Sequence, residues 1–343
     1  METQVKGIIL AGVHRWRNSL LEQTAPRAML PVVNRPLVEH VIAWLREGGV
    51  SDVTICANSD TRTIRDRLGA ERHRCRIRYY EDELPRGPAG CVRDASIDGA
   101  FDAILVTDAA MLPYPIDLRD IVCAHLRSDA GLTVAVASDS PNHEGAAPLG
   151  VYVVAPRALQ LVPPIGYQDI KEALVSRLHA SGERVTTYAV KPACPRVTCA
   201  DTYLAVNAWL LENCDHRPQM DQDYDASGGI WVHRSAKVHQ RARVVGPACV
   251  GPECVIEDAA MIIGPACLGR GCAVLPGSIV SRSILWDEAG VAPDAVVDRC
   301  IMMNGSWADA NSHQYNRVLQ PQEARRRALG SFRIMARHEA RPA

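Results

Sequence analysis

Chemistry-bearing residues cluster directly after the first apolar run of the chain. Val5-Lys6-Gly7-Ile8-Ile9-Leu10 leads into LAGVHRWRNSLLEQTAPRAMLPV (residues 10–32), which carries Arg15, Arg17 and Arg27 and closes on Pro26-Arg27-Ala28-Met29-Leu30-Pro31. A strand feeding an arginine-rich loop is a place to hold phosphate, because a guanidinium offers paired N–H donors to phosphate oxygens. Two more sites carry chemistry further on. Gly87-Pro88-Ala89-Gly90 is a glycine turn ahead of a helical pattern, and Leu105-Val106-Thr107-Asp108 brings a carboxylate to the end of an apolar run.

These residues need a scaffold, and the hydrophobic pattern supplies one. Strand-like runs at Val5 to Leu10, Val53 to Cys56, Ile77 to Tyr80, Ala103 to Thr107, Leu132 to Ala137 and Val151 to Val154 alternate with helical patterns. That alternation predicts an α/β fold with a parallel sheet. Helices are expected over Pro36 to Glu47, stopped by Gly48-Gly49, over Asp169 to His179 and over Asp201 to Leu211. In such sheets ligands sit beyond the carboxyl ends of the strands, which is where the arginine-rich loop begins.

Composition narrows the function classes. The 343 residues are 47% hydrophobic, with 38 basic against 39 acidic side chains, so a sizeable core is expected and no polyanion or membrane surface is favoured as partner. Nucleic acid is not expected as a partner. No stretch reaches the roughly 20 apolar residues of a membrane span, and the N-terminus lacks a leader pattern, which reads as cytoplasmic. Twelve cysteines are scattered without CxxC pairs and are expected as buried, reduced thiols.

The stretch from Leu10 to Val32 resembles the signature LAGGxGTRLxPLTxxxPKPMLPV of the sugar-phosphate nucleotidylyltransferases. Leu10, Ala11, Gly12, Arg17, Leu21, Pro26, Met29, Leu30, Pro31 and Val32 coincide in register, and the likeness continues through Arg35-Pro36-Leu37. Gly87-Pro88-Ala89-Gly90 resembles the family's base-holding GTAG turn, Leu105 to Asp108 its metal-binding strand end, and Leu149-Gly150-Val151-Tyr152 its NAGIY strand beside the sugar. The chain is similar to nucleotide-sugar pyrophosphorylases of the mannose-1-phosphate guanylyltransferase kind. The resemblance implies a Rossmann-like nucleotidyltransferase domain with a mostly parallel sheet, joining a nucleoside triphosphate to a sugar 1-phosphate with release of pyrophosphate. It further implies Arg17 and Arg27 as catalytic phosphate ligands, and Ala11, Gly12, Gly87, Ala89 and Gly90 at the nucleotide. Gly150 and Glu172 are implied at the sugar, with Asp108 on a magnesium ion.

Departures from the signature fall on the phosphate and metal positions. Transfer between two polyanions usually needs a glycine-rich loop, an Arg, a Lys and magnesium to neutralise charge. Val13 and Arg15 stand at glycine positions, Trp16 at the Thr and Arg27 at the Lys. A β-branched residue does not readily take positive φ or admit phosphate oxygens to the backbone. The family's second metal ligand aligns with Arg196, which would pair with Asp108 in place of a cation. Asp201 is expected as a helix N-cap. Pro148 replaces the Asn of NAGIY, and Lys171 stands near a sugar-contacting acid that Glu172 restores after a one-residue slip. Two functions therefore stand: a transferase with impaired activity, and a non-catalytic nucleotide-sugar-binding regulator or scaffold.

A period of six follows the polar stretch after residue 213. Val232, Val238, Val244, Val250, Ile256, Ile262, Leu268, Val274 and Val280 are aliphatic at nine successive steps, each of the first eight followed four residues on by Ala, Cys or Ser. This hexapeptide pattern predicts a parallel β-helix, left-handed by the family resemblance, with about 18 residues per turn. The phase slips by one to Leu285, Val291 and Val297. The expected domains are 1–214 (nucleotidyltransferase-like), 215–229 (linker), 230–304 (β-helix) and 305–343 (a tail with a basic amphipathic helix capping the coil). The β-helix is the expected seat of homo- or hetero-oligomerisation. Hexapeptide acyltransferase is a third reading, but His233 and His239 lack an accompanying loop. Cys249 and Cys267 are 18 apart, as are Cys254 and Cys272, so each pair is expected on neighbouring coils.

Overall fold

A computed structural model describes residues 3–12, 20–81, 86–137, 147–191, 194–213 and 223–321. The chain divides into two compact units, one of residues 1–30 with 35–199 and one of residues 31–34 with 200–343. This partition differs from the expected 1–214 and 230–304 domains. The helix Ala200–Glu212 and the turn Pro31–Asn34 belong with the repeats rather than with the sheet.

The first unit is built on one sheet. Its main strands are β1 (Val5–Leu10), β2 (Asp52–Cys56), β3 (Cys75–Tyr80), β4 (Ala103–Asp108), β5 (Leu132–Ala137), β6 (Ala147–Val154) and β7 (Val185–Val190), in the order β7-β5-β6-β4-β1-β2-β3 with the short strand Glu71–Arg72 at the edge. Pairing is parallel except at β6 and at Glu71–Arg72. The central strands are buried on both faces, which explains continuous apolar runs such as Gly-Ile-Ile-Leu in β1. Helices α1 (Leu37–Glu47), α2 (Thr61–Leu68), α3 (Gly87–Ala95), α4 (Leu118–Ser128) and α5 (Val175–Ala180, after a π-helical turn Ile170–Leu174) are its longer helices. Successive strands build outward from β1 on one side to β2 and β3, and on the other to β4. The chain thus reverses its order of travel at β1, the position where such sheets place their ligands.

In the second unit, short parallel strands stack into three sheets. One climbs through Ile230–His233, Ala248–Val250, Ala266–Leu268, Ile284–Leu285, Ile301–Met302 and Val318–Leu319; the others hold five strands each. The predicted register holds: Val250, Ile256, Ile262, Leu268, Val274 and Val280 are buried together with Ala248, Cys254, Ala260, Ala266 and Cys272. Val238, in the first coil, is 41% exposed and is the exception. The coil continues past residue 304, through Trp307–Ala308, His313–Tyr315 and Val318–Leu319. Early coils repeat every 18 residues (Val250 beside Leu268), later ones every 17 (Leu268 beside Leu285, Leu285 beside Met302). The shortening falls at one corner. There Gly246-Pro247 and Gly264-Pro265 give way to Arg282, Arg299 and Asn316 with positive φ.

Cys249 and Cys267 are cross-strand neighbours as expected, and no disulfide joins the described cysteines. His233 Nδ1 accepts from the Ser235 N–H and His239 Nδ1 from the Arg241 N–H, so each ring is tied to its own corner. The basic tail over 323–337 lies outside the described residues. Among the described residues no helix is long and apolar enough to cross a membrane.

Candidate active site

The expected site gathers at the carboxyl ends of β1, β2 and β4, where Leu10 lies beside both Cys56 and Asp108. The chain leaving β1 stays zipped to its neighbours. The Ala11 N–H donates to the Cys56 carbonyl at 2.8 Å, and the Ala109 N–H to the Leu10 carbonyl at 3.0 Å. A Cβ at Gly12 would lie 3.3 Å from the Ala57 carbonyl and Asn58 Cγ, so the glycine fits a tight passage against the β2 exit. The Ala11 N–H is thereby committed to backbone rather than offered to a nucleotide. Arg17, with Val13, Arg15 and Trp16, lies outside the described residues. Arg27 is described, in a 3-10 turn (Arg27–Met29), with Nη2 2.9 Å from Glu22 Oε1. It pairs with a carboxylate of its own loop.

Asp108 is the best-defined position. Its Oδ1 accepts from the Ala110 N–H at 2.8 Å, an Asx-type turn that fixes the carboxylate at the strand end. Its Oδ2 forms an ion pair with Arg196 Nη1. Arg196 reaches it because residues 110–112 and 195–197 run antiparallel. The Val197 N–H donates to the Ala110 carbonyl at 2.8 Å and the Leu112 N–H to the Pro195 carbonyl at 2.9 Å. The second nitrogen, Nη2, donates to the Leu149 carbonyl at 2.7 Å and lies 3.7 Å from the Met111 sulfur. Gly150 takes φ +82°, and a Cβ there would stand 2.5 Å from that same Nη2. The glycine that the resemblance assigned to the sugar makes room for the arginine.

A divalent cation does not fit this donor set. Magnesium is held by clustered oxygen ligands, and the one carboxylate at the strand end already carries a guanidinium and a backbone N–H. Among the described residues no group of three or more His, Cys, Asp or Glu is arranged to hold a metal. Asp201 is the second residue of its helix rather than the expected cap; it lies in the first turn, where a carboxylate still meets the positive helix end.

Tyr152 on β6 stands near this pair. Burial, reinforced by Asp169, pushes its phenol up to about 12, with Arg196 pulling the other way. The side chain is therefore a neutral hydrogen-bond donor across the physiological range.

The glycine turn has a structural explanation of its own. Gly87 takes φ +74°, and a Cβ there would lie 2.6 Å from the Gln168 carbonyl oxygen. The Ala89 N–H donates to that oxygen at 3.0 Å, and the Gln168 N–H returns a bond to the Arg86 carbonyl at 2.7 Å. A Cβ at Gly90 would meet Arg86 Cβ at 2.7 Å. Gln168, which nothing in the sequence singled out, is thus the partner that requires Gly87 and engages Ala89. Its side chain accepts from Arg177 Nη1 at 2.5 Å. Nearby, Asp169 Oδ1 caps the following turn by accepting from the N–H groups of Lys171 (2.7 Å) and Glu172 (3.1 Å), leaving the Glu172 side chain exposed.

The structure therefore brings Asp108, Gly150 and Arg196 together and sets Gly87, Ala89 and Gly90 around Gln168, while Arg27 faces Glu22. Comparison with known proteins shows what this chain is similar to. The family model for nucleotidyl transferases matches residues 6–146. A glucose-1-phosphate thymidylyltransferase of Streptomyces griseus is 24% identical over 303 residues, covering 74% of this chain and 85% of the relative. A nucleotidyltransferase of low-salt glycan biosynthesis from Haloferax volcanii is 23% identical over 264 residues (68% and 74%). A mannose-1-phosphate guanyltransferase of Candida albicans is 29% identical over 149 residues, but covers only 41% of this chain and 40% of the relative. Residues 6–146 thus match the nucleotidyl transferase family model, and the relatives this chain is similar to are sugar-1-phosphate nucleotidyltransferases.

Proposed function

We propose that this chain binds a nucleotide sugar at the carboxyl ends of β1 and β4 without transferring a nucleotidyl group, and so acts as a regulatory or scaffolding homologue. The observation that carries this reading is the engagement of Asp108 by Arg196 and the Ala110 N–H. Nucleotidyl transfer needs charge neutralised at the α-phosphate and at the departing pyrophosphate, and in this family that role falls to a cation on the strand-end carboxylate. With that carboxylate paired, the ground-state ligand can still be held while the transition state loses its main stabiliser. The base would lie against the turn at Gly87 to Gly90 and the sugar near Gly150 and Glu172. The arginines at 17 and 27 remain the proposed phosphate ligands, and assembly would proceed through the β-helix.

The family match favours one rival, a working transferase using magnesium. Incubating the purified protein with magnesium, each common nucleoside triphosphate and a panel of sugar 1-phosphates, while following pyrophosphate, separates them. Silence across the panel together with saturable binding of a nucleotide sugar is expected. Pyrophosphate release that Asp108→Asn abolishes would instead establish catalysis.

A further inference from the structure

Arg196 is the residue at the site that the proposed function leaves without a task of its own. Three contacts fix its guanidinium: the Asp108 carboxylate, the Leu149 carbonyl at 2.7 Å and the Met111 sulfur at 3.7 Å. Backbone pairing on both sides of residue 196 sets the start of the side chain, and the positive φ of Gly150 clears the space at its end. Two independent features of the fold thus converge on placing one positive charge at the exit of β4. The side chain is nevertheless 31% exposed. A guanidinium has five N–H donors in a rigid planar fork, and these contacts engage only part of them.

We infer that Arg196 is a phosphate-binding residue that stands in for a cation, so that this site takes the diphosphate of a nucleotide sugar without any divalent metal. The inference rests on the proposed function and specifies how the ligand is held. A permanently charged planar fork suits the task. Arg stays protonated at every physiological pH and binds phosphate oxygens in pairs, and its charge is covalently tethered at the site. Asp108 then serves as a positioning residue that orients the guanidinium. Affinity becomes independent of metal concentration, in contrast to a site in which a carboxylate and a diphosphate would repel each other unless a cation lay between them.

The test uses the full-length protein and two probes, GDP-mannose and dTDP-glucose, titrated calorimetrically with EDTA and again with magnesium or manganese. At least one probe is expected to bind with a Kd that differs by less than twofold between the two conditions. Arg196→Asp should weaken metal-free binding at least tenfold and create a manganese site with Asp108, read directly by the loss of the free-manganese paramagnetic resonance signal. Arg196→Lys, which keeps the charge on a shorter hydration-prone head, should retain metal-free binding within about tenfold and covers the case in which the aspartate variant fails to fold. Wild-type binding that appears only with metal overturns the inference and leaves the proposed function standing. Metal-free binding that survives in a folded Arg196→Asp also overturns it. Binding of neither probe under any condition removes the proposed function and this inference with it.

Discussion

Tyr203 makes the sharpest stability test in the C-terminal unit. It is fully buried on helix α6 (Ala200–Glu212); its hydroxyl donates to the Pro31 carbonyl and accepts from Trp286 Nε1 at 3.0 Å. Burial raises its pKa far above the usual phenol value, so the group is neutral throughout. Tyr203→Phe deletes one oxygen and strips this partner from the buried Trp286 N–H and the part-buried Pro31 carbonyl at once. Leaving a buried polar group unsatisfied costs about 1–3 kcal/mol, and the part-buried carbonyl adds a smaller cost, so the variant should lose about 1–4 kcal/mol. Trp286→Phe removes the indole N–H but leaves the bond to Pro31, and its cost comes mainly from lost volume, about 1–3 kcal/mol. In the double variant no indole N–H remains to be orphaned. The two changes should therefore cost less together than separately by about 1–2 kcal/mol, a coupling well above the scatter of independent sites. Guanidinium denaturation followed by far-ultraviolet circular dichroism measures all three. Additivity within about 0.5 kcal/mol, or a Tyr203→Phe cost below that figure, would refute the chain of bonds.

Three further outcomes are expected. Gly87→Ala combines a positive φ of +74° with a Cβ 2.6 Å from the Gln168 carbonyl, so it should lower the melting temperature by the equivalent of about 1–3 kcal/mol, whereas Gly182→Ala, also at positive φ but in open space, should cost no more than about 1–2 kcal/mol. His125 is buried, hydrogen-bonded to Thr133 Oγ1 at 2.8 Å, and held down to about 4 by burial and then by Arg157. A depressed histidine keeps its proton more readily when unfolded, so stability should fall as pH drops from 6.5 towards 4, at up to about 1.4 kcal/mol per pH unit from this group, and His125→Gln should flatten denaturation midpoints across that window. Among the described cysteines, Cys123 and Cys199 are exposed and should label rapidly with a thiol reagent under native conditions, while Cys249, Cys254, Cys267 and Cys272 label only on unfolding; peptide mapping by mass spectrometry distinguishes them.

The elements that the sequence made legible were those with a strong period. Central strands such as Val5–Leu10 are buried on both faces and read as unbroken apolar runs, and the hexapeptide register follows from side chains that alternate between core and corner. Edge strand β7, Val-Thr-Thr-Tyr-Ala-Val, escaped notice because it is only half covered and its pattern is mixed. The coil past residue 304 escaped for a different reason. Each later turn drops one residue at a single corner, and Ala308 and Gln314 take the places of Val291 and Val297, where further aliphatic residues would have signalled continuation. At the site, the pairing of Arg196 with Asp108 was legible because an alignment places two charged side chains at positions known to face each other. The role of Gln168 was not, since its contacts to Gly87 and Ala89 run through a backbone carbonyl, which every residue type possesses.

The partition of the chain has a practical corollary. Because residues 31–34 travel with the repeats, the polypeptide passes from one unit to the other three times, at 30/31, 34/35 and 199/200. Val33 donates its N–H to Asn207 Oδ1 at 2.9 Å, and Asn34 Nδ2 donates to the Leu268 carbonyl at 2.7 Å. No single scission point separates the two units: an N-terminal piece would carry the four residues 31–34 away from their unit, and an excised coil would lose the hydrogen bonds of Val33 and Asn34. The molecule is stitched rather than strung.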